Sequence, residues 1–352
     1  MTMSTEDFSP LRISRFELRL RAREAASLPP FLGSTVRGAF GRSLKQTVCV
    51  MAHRNCERCM VADRCIYPYL FETPVPPGLL QLRGQERAPH PFILSPPAPG
   101  SARDGPRNTD GTNTADFSSD RRLNLRGGDE ITFGLTLMGR AAEHLPYLVY
   151  AVIEMSRRGL GTDRGRFELA EVLFINPDGA RQQVYSGNSH RIETPTDSAI
   201  SLSTLIQARL DQLRSGAGFR SDSLKLRFVT PTRIRAGDDL QSGMSFELLV
   251  RNLLRRVSLL CAVHGRASLE LDYRGLIERA RSVRTISSRL EWCDWERYSN
   301  RQQTKMKLGG FMGEIEYGGE ISNEFLSLIV VGEILHVGGG TSFGLGRYEI
   351  AK

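Results

Sequence analysis

The chain has 352 residues, 40% hydrophobic and 24% charged, the composition of a soluble globular protein with room for about two domains. No window approaches 18 consecutive apolar residues, which excludes a helical membrane span. Lys and Arg outnumber Asp and Glu by 47 to 39, and the formal charge of +8 favours a polyanionic partner. The opening MTMSTEDFSP lacks the apolar stretch of a secretory signal. Cysteines in such a chain read as metal ligands before disulfides, and the expected compartment is the cytoplasm.

From Leu11 to Arg23, Phe16, Leu18 and Leu20 alternate with Arg15, Glu17, Arg19 and Arg21, the period of a strand with one buried face. Ser34 is a candidate cap for a helix in which Val36, Phe40, Leu44 and Val48 recur every fourth residue, with Arg37 turned away from that stripe. The second half repeats the order: Leu224, Leu226 and Phe228 alternate with Lys225 and Arg227, and Ser245 precedes a helix with an apolar stripe from Phe246 to Leu260. Basic faces on both first strands suggest a groove for a polyanion.

Each half also ends alike. GLGTDRGRFELA at 159–170 and GGGTSFGLGRYEIA at 338–351 both follow an apolar helical stretch and end in a strand. Strand-like runs lie between, at Glu130–Leu137, Arg289–Trp295 and Lys307–Tyr317. The expected fold is therefore α+β, two tandem ferredoxin-like (RRM-like) βαββαβ domains with a cysteine-rich insertion in the first. The first domain spans 1–190, with the insertion at 49–75 and a Pro-, Gly- and Ser-rich surface excursion at 95–128 expected to be disordered. A helix and connection fill 191–222, and the second domain spans 223–352, with a glycine loop at 338–346.

Cys49, Cys56, Cys59 and Cys65 follow the first helix as C-x6-C-x2-C-x5-C. Four thiolates at such spacing suit one tetrahedral structural zinc, with reduced thiols or an iron–sulfur cluster as the alternatives. Cys261 and Cys293 read as packed residues. His53 lies inside the cluster, past the end of the helix, where an imidazole suits proton transfer; a metal ligand or a surface histidine is the other reading. His336, at the end of the last helix, reads either as a packed histidine or as a catalytic one. His90, His144, His190 and His264 have no constellation around them.

Gly338, Gly340, Gly344 and Gly346 allow close backbone approach, to RNA or to the protein's own neighbouring strand. The loop follows a helix and precedes a strand, the reverse of nucleotide-binding glycine loops. In WCDWERYSNRQQTKMKLGG at 292–310, Trp295, Arg297, Tyr298, Arg301, Lys305 and Lys307 interleave rings and cations, as unpaired bases and phosphates require.

Four blocks, LPPFLGSTVRGAFGRSL, the cysteine knuckle running into CIYPYLFETP, WERYSNRQQTKMKLGGFMGEI and LHVGGGTSFGLGRYEI, resemble the CRISPR-associated endoribonuclease that processes repeat RNA, the sixth Cas family of the RAMP superfamily. The resemblance implies cleavage of precursor RNA within the repeat without a metal, by attack of a 2′-hydroxyl on the adjacent phosphate, leaving 2′,3′-cyclic phosphate and 5′-hydroxyl ends. Such chemistry needs a base, an acid and cations for the developing charge. Matching helix to helix makes His53 the first catalytic candidate, with Tyr298 and Lys305 as partners and His336 behind them. Arg37, Arg297, Arg301, Lys307, the four loop glycines and Arg347 are the expected RNA contacts. Relatives often place Lys where this chain has Gly339. Any cysteine-bound metal would be structural. The expected partners are CRISPR repeat RNA and a CRISPR effector complex, with no membrane. The competing reading is a non-cleaving RNA-binding RAMP subunit of an effector complex. A metal-dependent hydrolase is the weakest reading, since four thiolates leave no open position for water.

Overall fold

The structure, a computed structural model, describes the chain except residues 1–2, 52–54, 80–86, 98–121, 190, 194, 196, 217–221, 238, 295, 300–303, 308 and 352, and gives backbone alone for 296–299 and 304–307. Strand β1 (Arg12–Ala22) alternates as the sequence predicts and leads through a short β2 (Ala26–Leu28) into α1 (Gly33–Val48). Helix α1 starts two residues earlier than expected, at Gly33 after Leu32 as N-cap, with no side-chain cap, so Ser34 does not fill that role. Strand β3 (Phe92–Ser95), a short β4 (Leu123–Leu125), β5 (Glu130–Met138), α2 (Leu145–Arg158) and β6 (Phe167–Ile175) complete the first unit, with β7 (Arg181–Ser186) added at its edge. The strand order is β3-β5-β1-β6-β7, and all its pairs are antiparallel. The first four are the order of a ferredoxin-like sheet, the two helices covering the face that carries Phe16, Leu18 and Leu20.

A two-residue β8 (Ile200–Ser201) pairs with β1 and runs into α3 (Leu202–Ser215), capped by the Ser201 hydroxyl. The second unit begins at β9 (Ser223–Thr232). After the small β10 (Arg235–Ala236) and β11 (Asp239–Leu240) comes α4 (Phe246–His264), where Ser245 Oγ accepts from the Leu248 amide at 3.2 Å, as the sequence predicts. Then follow α5 (Tyr273–Ala280), β12 (Arg284–Cys293), the ribbon of β13 (Glu296–Ser299) and β14 (Thr304–Lys307), β15 (Gly310–Gly318), α6 (Asn323–Leu335) and β16 (Tyr348–Ala351). Their sheet, β12-β15-β9-β16, repeats the order of the first. The duplication legible in the sequence is thus a duplication of topology.

Most of the 95–128 excursion lies outside the described residues. Its closing end differs from the expectation of disorder: Leu123–Leu125 pairs in register with Ala26–Leu28, and Leu125 is buried. The basic faces of the first strands differ too. Arg19 pairs with Glu17 and Glu171, Arg21 with Glu130 and Glu168, and Arg23 with Glu168. In the second sheet Lys225 pairs with Glu314, and Arg227 with Glu349. Such half-exposed pairs stabilise little, but they cancel the positive charge the sequence suggested was available.

The second core extends beyond its own unit. Met3, Phe8, Leu11, Ile13 and the α3 residues Leu202 and Ile206 pack with Leu253, Phe325 and Ile329, and the Met3 amide donates to Glu324 Oε1 at 2.6 Å. The chain's first residues therefore strap the second unit to the first. Phe8 is completely buried; Phe8→Ala is expected to cost about 3–5 kcal/mol, read as a lower urea midpoint of unfolding.

Candidate nucleic-acid interface

The two units meet along a seam made by the amino end of α1, strand β3, the carboxyl ends of α4 and α6, and the glycine loop. Arg37 lies there. Its guanidinium stacks 4.4 Å from the Phe343 ring centre and 5.1 and 5.8 Å from those of Phe71 and Phe92, and Nη2 donates to His90 Nε2 at 3.1 Å. The His90 Nδ1 lies 2.8 Å from Thr73 Oγ1. The expected RNA contact is thus half-buried and joins the first unit to the turn of the glycine loop by cation–π contact.

All four loop glycines take positive φ, from 71° to 84°. At Gly346 a Cβ would collide with the Val337 carbonyl, and at Gly344 it would press on Leu94 O and Pro96 of the opposite unit. Close packing against the protein's own backbone therefore accounts for glycine at both positions. Gly339 is different: it is exposed, and a Cβ there meets its nearest neighbours at 3.8 Å. Gly346→Ala is expected to lose at least ~2 kcal/mol of stability, whereas Gly339→Lys should leave the thermal midpoint unchanged. Equal losses in the two variants would contradict this placement. Arg347 is half-buried, its Nη2 3.0 Å from Glu349 and its amide bonded to Thr230 Oγ1.

His336 is 4% exposed and holds φ of 59°, a backbone conformation that costs about 1–3 kcal/mol in a residue other than glycine. Its Nδ1–H donates to Leu345 O at 3.1 Å across the loop, and its Nε2 lies 3.4 Å from Ser95 Oγ of the first unit. Both ring nitrogens are engaged. Burial, together with the charges of Arg347 and Arg256, pushes its pKa down to about 3, so the ring is neutral. This geometry matches the packed-histidine reading.

The four expected metal ligands do share one place. Cys49, Cys56, Cys59 and Cys65 line a single hollow with Lys45, Met51, Asn55, Tyr67 and Pro68. Burial pushes the Cys56 thiol up, opposed by the Lys45 ammonium beside it. Among the described residues, however, no three Cys, His, Asp or Glu side chains converge as a metal requires. The tetrahedral sphere expected of a structural zinc is thus not formed among the described residues. His53 lies outside the described residues, between Cys49 and Cys56 of this hollow.

Register brings two further candidates together: Tyr298 is directly opposite Lys305 in the β13–β14 ribbon, and Arg297 and Lys307 occupy the same two strands. Trp295 and Arg301 lie outside the described residues. The ribbon continues the β12–β15 pair, at whose end Trp292 is 41% exposed with its indole N–H bonded to Asp294 at 2.9 Å. Sequence reasoning missed Arg256. It follows Arg255 on α4 as one more charge, yet its Nε donates to Leu335 O at 2.7 Å, and its Nη2 is buried without a partner.

Two ferredoxin-like units, the second with a glycine loop before its last strand, make up the chain. Two family models divide the chain between them: one described as an N-terminal domain (AF_1859_N) matches residues 11–197, and CRISPR-associated endoribonuclease Cas6 matches residues 226–348. The second unit therefore carries a Cas6-type domain, and the first an AF_1859_N-type domain. An uncharacterized protein of Archaeoglobus fulgidus is 23% identical over 341 residues, 97% of this chain and 98% of its own. A Thermus thermophilus Cas6 in a product complex shares the fold with a TM-score of 0.50 at 15% identity, over 97% of this chain and 99% of its own. A chain of a partial Cas6-RT-Cas1–Cas2 complex is similar at a TM-score of 0.56 and 12% identity, over 97% of this chain but 46% of that longer one. Among the described residues, no helix is long and apolar enough to cross a membrane.

Proposed function

We propose that this protein is the endoribonuclease that cuts CRISPR precursor RNA within its repeats, by attack of a ribose 2′-hydroxyl on the adjacent phosphate. The match of residues 226–348 to the Cas6 endoribonuclease model carries this reading: it supports CRISPR RNA processing or RAMP-type RNA binding, and a 2′-hydroxyl attack needs no resident metal. His53, beyond the end of α1, serves as the proton-transfer group. Tyr298 and Lys305, cross-strand neighbours in the ribbon, stabilise the charge that develops on the phosphate. Arg297, Arg301 and Lys307 hold the RNA backbone beside them, and the rim of the glycine loop at half-buried Gly338 and exposed Gly340 lies against it. Arg37, His336, Gly344 and Gly346 act behind this surface by fixing the loop.

The test is incubation of the purified protein with its repeat RNA in EDTA. A discrete cut leaving a 2′,3′-cyclic phosphate and a 5′-hydroxyl supports the proposal. Tight binding with no cut would instead favour the RNA-holding subunit, for which the absence of a lysine at Gly339 is the motivating feature.

A further inference from the structure

Helix α4 carries a buried cation that nothing among the described residues neutralises. Arg256 donates Nε to Leu335 O, the last turn of α6, and its Nη2 is enclosed without a hydrogen-bond partner. Burial pushes the guanidinium down to about 10, and no carboxylate opposes that shift. The contrast with its surroundings is sharp: Arg209 is held by Glu333 at 2.7 and 2.8 Å, and Arg347 by Glu349. A second orphan lies at the carboxyl end of the same helix. His264 gives Nε2–H to Pro89 O of the first unit at 2.7 Å, which leaves its Nδ1 as a buried lone pair without a partner. The charge of Arg256 reaches both His264 and His336, lowering each, so the three side chains share one region of the seam.

A buried guanidinium without a counter-charge is costly, and an enclosed N–H left unmade adds to that cost. An anion with several oxygens removes both penalties, and a planar guanidinium pairs with the oxygens of a phosphate through two parallel N–H bonds. The residue as a whole is half-buried, with its Nη2 enclosed. A hydroxyl beside the phosphate would donate to the bare Nδ1 of His264, and an RNA strand carries both groups in every nucleotide.

We propose that Arg256, assisted by His264, is a phosphate-binding site at the seam between the two units, occupied by a backbone phosphate of the bound RNA. Only the carrier of the phosphate rests on the RNA-processing reading; the site itself does not. Binding there would tie RNA to both units at once, since His264 and His336 reach Pro89 and Ser95 across the seam.

The test uses the full-length protein and two variants, Arg256→Met and Arg256→Lys, the second keeping the charge if the first fails to fold. Thermal unfolding is followed against inorganic phosphate at constant ionic strength, and repeat-RNA affinity is measured by filter binding. Phosphate should raise the midpoint of the wild-type protein, raise it less in Arg256→Lys and leave Arg256→Met unmoved, while RNA affinity falls about tenfold or more in Arg256→Met. An equal phosphate response in all three proteins would overturn the site. A phosphate response lost in Arg256→Met with RNA affinity unchanged would keep the site and overturn RNA as its occupant. A wild-type protein that responds to phosphate yet neither binds nor cuts repeat RNA would overturn the processing reading and leave the site standing.

Discussion

His53→Ala is expected to slow cleavage of repeat RNA by about 10²- to 10⁴-fold, the range that a positioned acid or base supplies, with the dissociation constant for uncut RNA unchanged. The reasoning is local. Helix α1 ends at Val48, the Cys49 amide closes its last turn on Lys45 O, and His53 is the only histidine in the segment that follows. The histidines that face the seam are committed elsewhere: His90 to Arg37 and Thr73, His264 to Pro89, and His336 to Leu345 and Ser95. Single-turnover rates and filter binding on the same preparation separate the two effects. Equal loss of rate and affinity would remove His53 from the chemistry and give it a binding role.

Acid is expected to unfasten the seam. Burial is the largest cause lowering all three seam histidines: to about 3 for His90, beside Arg37 and Arg87; to about 4 for His264, beside Arg256; and to about 3 for His336, beside Arg347 and Arg256. The unfolded chain takes up a proton at each near pH 6.5, whereas the folded chain does so only near pH 3–4. Their contribution to stability is therefore complete above about pH 6.5 and is lost as the pH falls toward 4. At pH 5 the loss is roughly 2 kcal/mol for each histidine, together a large share of the few kcal/mol that typically hold a domain folded. Urea unfolding at pH 8, 6.5 and 5 should show the midpoint falling steeply over the lower interval. A flat profile would mean that the three rings are not held neutral at the seam.

Much of this architecture is legible in the residues. Alternation in β1 and β9, the four-residue stripe of α1 and the Ser245 cap are local signals. The repeated helix, glycine loop and strand reveal the duplication without any knowledge of contacts. What escaped is non-local. Strand β3 is four apolar residues, Phe-Ile-Leu-Ser, with no alternation to mark it. The neutralising partners of Arg19, Arg21 and Arg23 lie mostly on β5 and β6, over a hundred residues away in the chain, so a basic face in sequence became a paired face in space. The glycine loop looked like a ligand cradle because positive φ reads the same whether the close neighbour is RNA or, as at Gly344 and Gly346, the protein's own backbone. Arg256 was invisible for the opposite reason: beside the exposed Arg255 nothing in the sequence marks it as buried. At the cysteines the spacing correctly brought four thiols to one hollow and did not determine whether they converge.

The central claim, cleavage by the substrate's own 2′-hydroxyl, is tested most directly by a repeat RNA carrying a single 2′-deoxy nucleotide at the cut position. The deoxy RNA should bind with the affinity of the unmodified RNA and remain uncut. Cleavage at an undiminished rate would show that water or another external nucleophile attacks the phosphate, and would contradict the account.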